Sequence, residues 1–201
     1  MNRRLGVLIS GRGSNLQSLI DAIRVGRLDA TIAVVISNVA DAGGLEHARA
    51  AGIEAIVLSH RGWASRDEYD RALARELRAR DVGLVCLAGF MRIVGGPLID
   101  AYPHAILNIH PALLPSFPGV DAQQQAVDYG VKISGVTVHF VTPDLDAGPI
   151  VLQRAVPVVE GDTGETLGER ILEQEHLAYP EAVGSVLGGG WAVDGRRFVR
   201  L

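Results

Sequence analysis

The stretch GVLISGRGSNLQSLIDAIR, residues 6–24, decides the fold. GVLIS (6–10) is short, apolar and β-branched. GRGSNLQ (11–17) follows it at once with two glycines. Leu16, Leu19, Ile20 and Ile23 then share one face of a helical segment from Leu16 to Arg24. A strand, a glycine turn and a helix in direct succession open a βαβ unit. The same grammar repeats downstream. ATIAVVIS (30–37), IEAIVLS (53–59) and VGLVCLAG (82–89) are near-continuously apolar, as strands covered on both faces must be. Helical segments lie between them at Leu45 to Ala51 and at Ser65 to Arg80. The second opens with Ser65-Arg66-Asp67-Glu68, a capping-box pattern, and stacks Tyr69, Leu73 and Leu77 on one face.

After residue 104 the pattern changes. AILNI (105–109) reads as a fifth strand and runs into a loop with Pro111, Pro115 and Pro118, and Asp121 to Tyr129 reads as a helix. ISGVTVHFV (133–141) and PIVLQRAVPVV (149–159) are longer strands separated by a turn, which suggests an antiparallel excursion. A helix from about Glu165 to Leu187 follows, and WAVDGRRFV closes the chain as a hairpin around Asp194-Gly195. The expectation is an α/β fold: a doubly wound, mostly parallel open sheet with an antiparallel C-terminal portion, in one domain spanning 1–201.

Composition narrows the classes of function. A chain of 201 residues that is 48% hydrophobic and 21% charged is globular rather than disordered. A net charge of −4 with no Lys/Arg run gives no phosphate track, so no nucleic acid partner is expected. Cys86 is the single cysteine and lies inside an apolar strand, so it reads as a buried thiol. No apolar run reaches transmembrane length and no secretory leader is visible, which points to a cytoplasmic protein with no membrane partner. The six histidines show no metal-ligand spacing, and no metal is expected.

Four segments carry chemistry. GRGSNLQ places glycines and free N–H groups at a helix N-terminus, where an anion is held, and Ser14 and Asn15 are good cap types. Three readings stay open: one phosphate on a small substrate, a dinucleotide, or a tight turn with ordinary capping. The dinucleotide reading lacks its third glycine, because Leu16 stands there. It also lacks its acidic residue, because the second strand ends in Ser37-Asn38. In NIHP (108–111), alternation aims Asn108 and His110 to one side of a strand end, a neutral fork beside an imidazole, or else a decorated turn. TPDLDAGPI (142–150) brings Asp144 and Asp146 in a turn that could approach His110, though such aspartates are usually turn residues. Glu175 sits on the apolar stripe Leu167, Ile171, Glu175, Ala178, Ala182 and needs a partner there: a ligand amine or hydroxyl, a Lys or Arg elsewhere, or exposure at a helix end. His139 alternates with Val138 and Phe140 and reads as a half-buried residue behind the site.

Taken together and in order, ISGRGSNLQ, SNVADAGGLEHARAAGI, LAGFMRI, LNIHPALLPSFPG, VTVHFVTPDLDAGPIVLQ and QEHLAYP resemble the phosphoribosylglycinamide formyltransferases, folate-dependent enzymes of purine synthesis. The resemblance implies the formyltransferase fold. It also implies transfer of a formyl group from 10-formyltetrahydrofolate, as co-substrate, to the amine of 5′-phosphoribosylglycinamide. Asn108, His110 and Asp146 become the catalytic set, with Asn108 and His110 stabilising an oxyanion while Asp146 keeps His110 protonated. Gly13, Ser14 and Asn15 would hold the phosphate and Glu175 the glycinamide. Folate would lie along Met91, Arg92, Ile93, Val94 and Asn108, with Arg66 and Thr142, Pro143, Asp144, Leu145 and Asp146 completing its site. The partners are small molecules, and the enzyme is a monomer or homodimer. One departure is visible: where the family commonly has a histidine after Pro118-Gly119, this chain has Val120-Asp121-Ala122. Two alternatives are a hydrolase that releases formate from the same folate and a formyltransferase acting on another amine.

Overall fold

The structure is a computed structural model that describes residues 2–201. Among these residues nine strands form one sheet: β1 (Arg4–Ile9), β2 (Thr31–Ser37), β3 (Ala55–Val57), β4 (Leu84–Leu87), β5 (Ile106–His110), β6 (Ile133–Phe140), β7 (Ile150–Pro157), β8 (Trp191–Asp194) and β9 (Arg197–Arg200). Their spatial order is β3-β2-β1-β4-β5-β6-β7-β9-β8. The first five strands are parallel, and β5–β6, β6–β7 and β8–β9 pair antiparallel. Among the described residues six helices complete the fold: α1 (Ser14–Arg24), α2 (Gly44–Ala50), α3 (Arg66–Arg78), α4 (Gly96–Ala101), α5 (Ala122–Tyr129) and α6 (Gly164–Leu187).

The chain winds outward from β1 to β3 and then crosses back to β4 and β5. Right-handed crossovers therefore put α1 and α2 on one face and α3 and α4 on the other. Packing agrees: α6 lies against α1 and α5, while α3 lies against α4. The central strands are covered on both sides, so Leu5, Val7, Leu8, Ile9, Val34, Val35, Ile36, Leu84 and Val85 are wholly buried. The C-terminal hairpin covers the far edge of the sheet, where Trp191 and Phe198 cluster on Phe140.

Local chemistry explains most boundaries. Ser65 caps α3 by accepting from the Glu68 amide at 3.2 Å, while the Glu68 carboxylate accepts from the Ala64 amide, one residue beyond the usual capping box. Thr163 and Thr166 cap α6 reciprocally. The helix α4 is not anticipated by the sequence reading: six residues with only Leu98 buried leave no periodicity to detect. The expectation that Ser14 or Asn15 caps α1 is also overturned. Gly13 occupies that position, and no side chain caps the first turn.

Candidate active site

Strand order reverses between β1 and β4, and in open α/β sheets a crevice forms beyond the strand ends at such a point. A cleft of about 570 Å³ lies there, lined by Gly13, Ser14 and Asn15, by Met91 beyond β4, and by Glu169 and Glu175 on α6. Gly13 is required twice over. Its φ is 77°, in the left-handed region, and a Cβ there would stand 2.5 Å from the Gly44 Cα. With no side-chain cap, the first-turn N–H groups of α1 stay available to an anion in the cleft.

Glu175 is 7% exposed, and its partner is neither Lys nor Arg: Asn15 Nδ2 donates to Glu175 Oε2 at 2.6 Å. Burial drives the Glu175 carboxyl above its ordinary range, and the Asn15 bond only partly opposes this. Asn15 Oδ1 has no hydrogen-bond partner among the described residues. The pair thus presents unfilled acceptor capacity, the complement of a ligand that carries N–H or O–H groups.

The second cluster stands at the end of β5, two strands from β1. Antiparallel register sets Asn108 opposite His139 and His110 opposite Thr137, so all four share one face. The turn after β6 brings Asp146 onto them. Asp146 Oδ2 lies 3.5 Å from His110 Nδ1, and Oδ1 lies 3.7 Å from His139 Nε2. The Gly119 amide donates to Asp146 Oδ2 at 2.8 Å. Gly148 closes this turn, where a Cβ would fall 1.8 Å from the Phe140 carbonyl oxygen. Asn108 Nδ2 is 3.3 Å from His139 Nε2, while His139 Nδ1 is 2.9 Å from the Phe140 carbonyl.

His110 Nε2 donates to the Phe117 carbonyl at 2.8 Å, and Phe117 holds a φ of 55° to present it. Burial lowers the His110 pKa. The Phe117 bond and the Asp146 charge push it upward without overcoming burial. In the free protein burial therefore works against a charge on His110, while Asp146 works for it. Burial also acts to raise the Asp146 carboxyl, but His139, the Gly119 amide and His110 together hold it below its usual value. Asp146 is thus an anion 3.5 Å from His110 Nδ1, placed to stabilise a proton there.

The residues expected to line folate divide between exposed and buried. Met91 and Ile93 are 72% and 51% exposed, forming an apolar wall in solvent. The Arg92 guanidinium sits 4.9 Å over the Tyr69 ring, and Arg66 is exposed at the start of α3. Val94 instead packs in the core. Pro143, Asp144 and Leu145 are exposed, and Thr142 is half-buried.

Two contributors were not singled out as site residues. One is His139, whose contact with Asn108 and Asp146 exists only through strand register. The other is Thr137, whose hydroxyl donates to the Ala112 carbonyl at 2.7 Å and accepts from the Leu114 amide and Gln153 Nε2, anchoring the proline loop to β6 and β7. The alternation Thr137-Val138-His139 mirrors Asn108-Ile109-His110 and is the one sequence signal that could have found both.

Comparison with known proteins agrees with this fold. The formyl transferase family model matches residues 3–183. The Escherichia coli (strain K12) phosphoribosylglycinamide formyltransferase is 45% identical over 94% of this chain and 87% of its own. The human trifunctional purine biosynthetic protein adenosine-3 is 50% identical over 92% of this chain, which spans only 18% of that protein. The crystal structure of glycinamide ribonucleotide transformylase 1 from Symbiobacterium toebii superposes with a TM-score of 0.98, at 55% identity, over 100% of this chain and 94% of that one. The chain belongs to the formyl transferase family, among the phosphoribosylglycinamide formyltransferases.

Proposed function

We propose that this protein transfers the formyl group of 10-formyltetrahydrofolate to the amine of 5′-phosphoribosylglycinamide, acting as one domain over residues 1–201 in the cytoplasm. The observation that carries this reading is one sheet edge bearing two complementary clusters. One offers free helix N–H groups beside the Asn15–Glu175 pair, the other Asn108, His110 and Asp146. Gly13, Ser14 and Asn15 bind the phosphate, and Glu175 with Asn15 receives the glycinamide. Folate lies along Met91 to Val94 and Asn108, with Arg66, Arg92 and the 142–146 turn around it.

In the reaction the neutral amine nitrogen attacks the formyl carbon, and charge builds on the formyl oxygen. Asn108 Nδ2, already oriented by His139, donates to that oxygen. The attacking nitrogen becomes cationic and gives up a proton, which His110 takes at Nδ1. The imidazolium so formed stabilises the oxyanion and is itself stabilised by Asp146. That proton then passes to the leaving folate nitrogen as the carbon–nitrogen bond to folate breaks, and His110 returns to its neutral form.

The test is direct. Purified protein is incubated with 10-formyltetrahydrofolate, with and without glycinamide ribonucleotide, and folate absorbance is followed. Turnover that requires the amine is expected. Turnover without it would assign the hydrolase reaction instead, and no turnover with it would reject the transferase.

A further inference from the structure

The folate wall raises a question of rigidity. Met91 and Ile93 are largely exposed, so burial of their side chains does not hold the Gly89–Gly95 segment in place. Phe90 and Val94 pack into the core, and polar anchors hold the backbone on either side of them. At one end the Gly95 amide donates to buried Asp70 Oδ2 at 2.7 Å. At the other end the Met91 amide donates to Ser10 Oγ at 2.8 Å, beside a backbone bond from Ser10 N to the Gly89 carbonyl.

Ser10 is itself held. Having accepted from Met91, its hydroxyl proton goes to Asn38 Oδ1 at 2.6 Å. This fixes the orientation of the Asn38 amide, whose Nδ2 then donates to His60 Nδ1 at 3.2 Å. Asn38 is 6% exposed with both ends of its amide used. It occupies the place at the end of β2 where a dinucleotide-binding fold would carry a ribose-binding acid, and a carboxylate there could not donate onward to His60. All the bonds run one way, Met91 N–H to Ser10 O–H to the Asn38 amide to the His60 lone pair, and such chains reinforce one another. His60 opens the segment that leads to Arg66.

We infer that Ser10, Asn38 and His60 form a positioning relay that holds the Met91–Val94 wall at a fixed place relative to the segment carrying Arg66, and so sets affinity for the folate-type ligand. The inference rests on the reading of Met91–Val94 as the folate wall. None of the three is a catalytic residue, and Asn38 and His60 lie outside the lining of the phosphate cleft.

The test uses calorimetric titration of the full chain with tetrahydrofolate and, separately, with glycinamide ribonucleotide. Asn38→Ala is expected to weaken tetrahydrofolate binding by roughly 3- to 10-fold and His60→Ala by less, in line with loss of one or two hydrogen bonds. The double variant should be no weaker than Asn38→Ala alone, because the relay acts in series. Affinity for glycinamide ribonucleotide should change by less than about twofold. Unchanged tetrahydrofolate affinity in Asn38→Ala, equal loss for both ligands, or additive effects would each overturn the relay. If thermal unfolding shows that Asn38→Ala does not fold, His60→Ala decides by the same ligand contrast. Failure of the unaltered protein to bind tetrahydrofolate overturns the folate reading and the relay with it, whereas binding that ignores Asn38 and His60 overturns the relay alone.

Discussion

Asp146→Asn keeps the shape of the side chain and removes its charge. The amide oxygen can still accept from the Gly119 N–H, so the turn keeps its anchor. What disappears is an anion 3.5 Å from His110 Nδ1. Two unit charges at that separation attract by about 5 kcal/mol at an effective dielectric of ~20. Partial proton transfer and residual water leave about half of this at the transition state, which corresponds to a loss of roughly 100-fold in kcat, with ~1,000-fold as the upper end. Stability should fall by no more than ~2 kcal/mol, the difference between a charge-assisted and a neutral bond. For a chain of this size that is a drop of roughly 4–8 °C in Tm. The assay is folate absorbance at saturating concentrations of both substrates, beside a thermal melt. A kcat within tenfold of the unaltered enzyme would refute the electrostatic role given to Asp146. An inactive variant that melts far below this range would mean that loss of fold explains the result instead.

Three further outcomes follow from the same geometry. The His110 imidazole, followed by NMR, should titrate below the ordinary value of about 6.5, and further below it in Asp146→Asn, because burial outweighs the carboxylate in the first case and acts with less opposition in the second. The accompanying stability term is therefore lost as pH falls below ~6.5, where the unfolded chain takes the proton first; a midpoint above 6.5 would contradict the burial argument. Gly13→Ala forces a side chain into a left-handed backbone and against the Gly44 Cα, and should cost about 2–3 kcal/mol while raising KM for the phosphorylated amine more than the folate KM. Thermal melts and steady-state kinetics check both parts. Glu175→Gln should leave Tm unchanged or raised at neutral pH, since burial penalises the charged form there and that penalty grows as pH rises through the unfolded carboxyl pKa, yet weaken the amine substrate about tenfold; a large loss of Tm would refute it.

The sheet was legible in the chain because its physics is local. Continuous apolar runs separated by helical periods specify a doubly covered parallel sheet, and the longer strands beyond residue 130 mark the antiparallel return. Helix α4 escaped because six residues with one buried leucine carry no period. The start of α1 was misread because Ser14 and Asn15 are good caps in general. The close approach of Gly13 to Gly44, which takes the cap position instead, joins residues far apart in sequence.

For the site, the residue types at 13–15, 108–110, 144–146 and 175 were visible in the amino-acid order, because alternation at a strand end and glycines before a helix are short-range patterns. Whether they met was not. Antiparallel register alone puts His139 beside Asn108, and the Gly148 turn alone carries Asp146 to within 3.5 Å of His110. Burial works against a charge on His110 and on Glu175 alike, since both depend on water excluded by segments distant in the chain. Sequence by itself determined the fold class and the identity of the reactive groups. Tertiary structure decided which of them face one another and in what protonation state, because distance and solvation are properties of the packed chain.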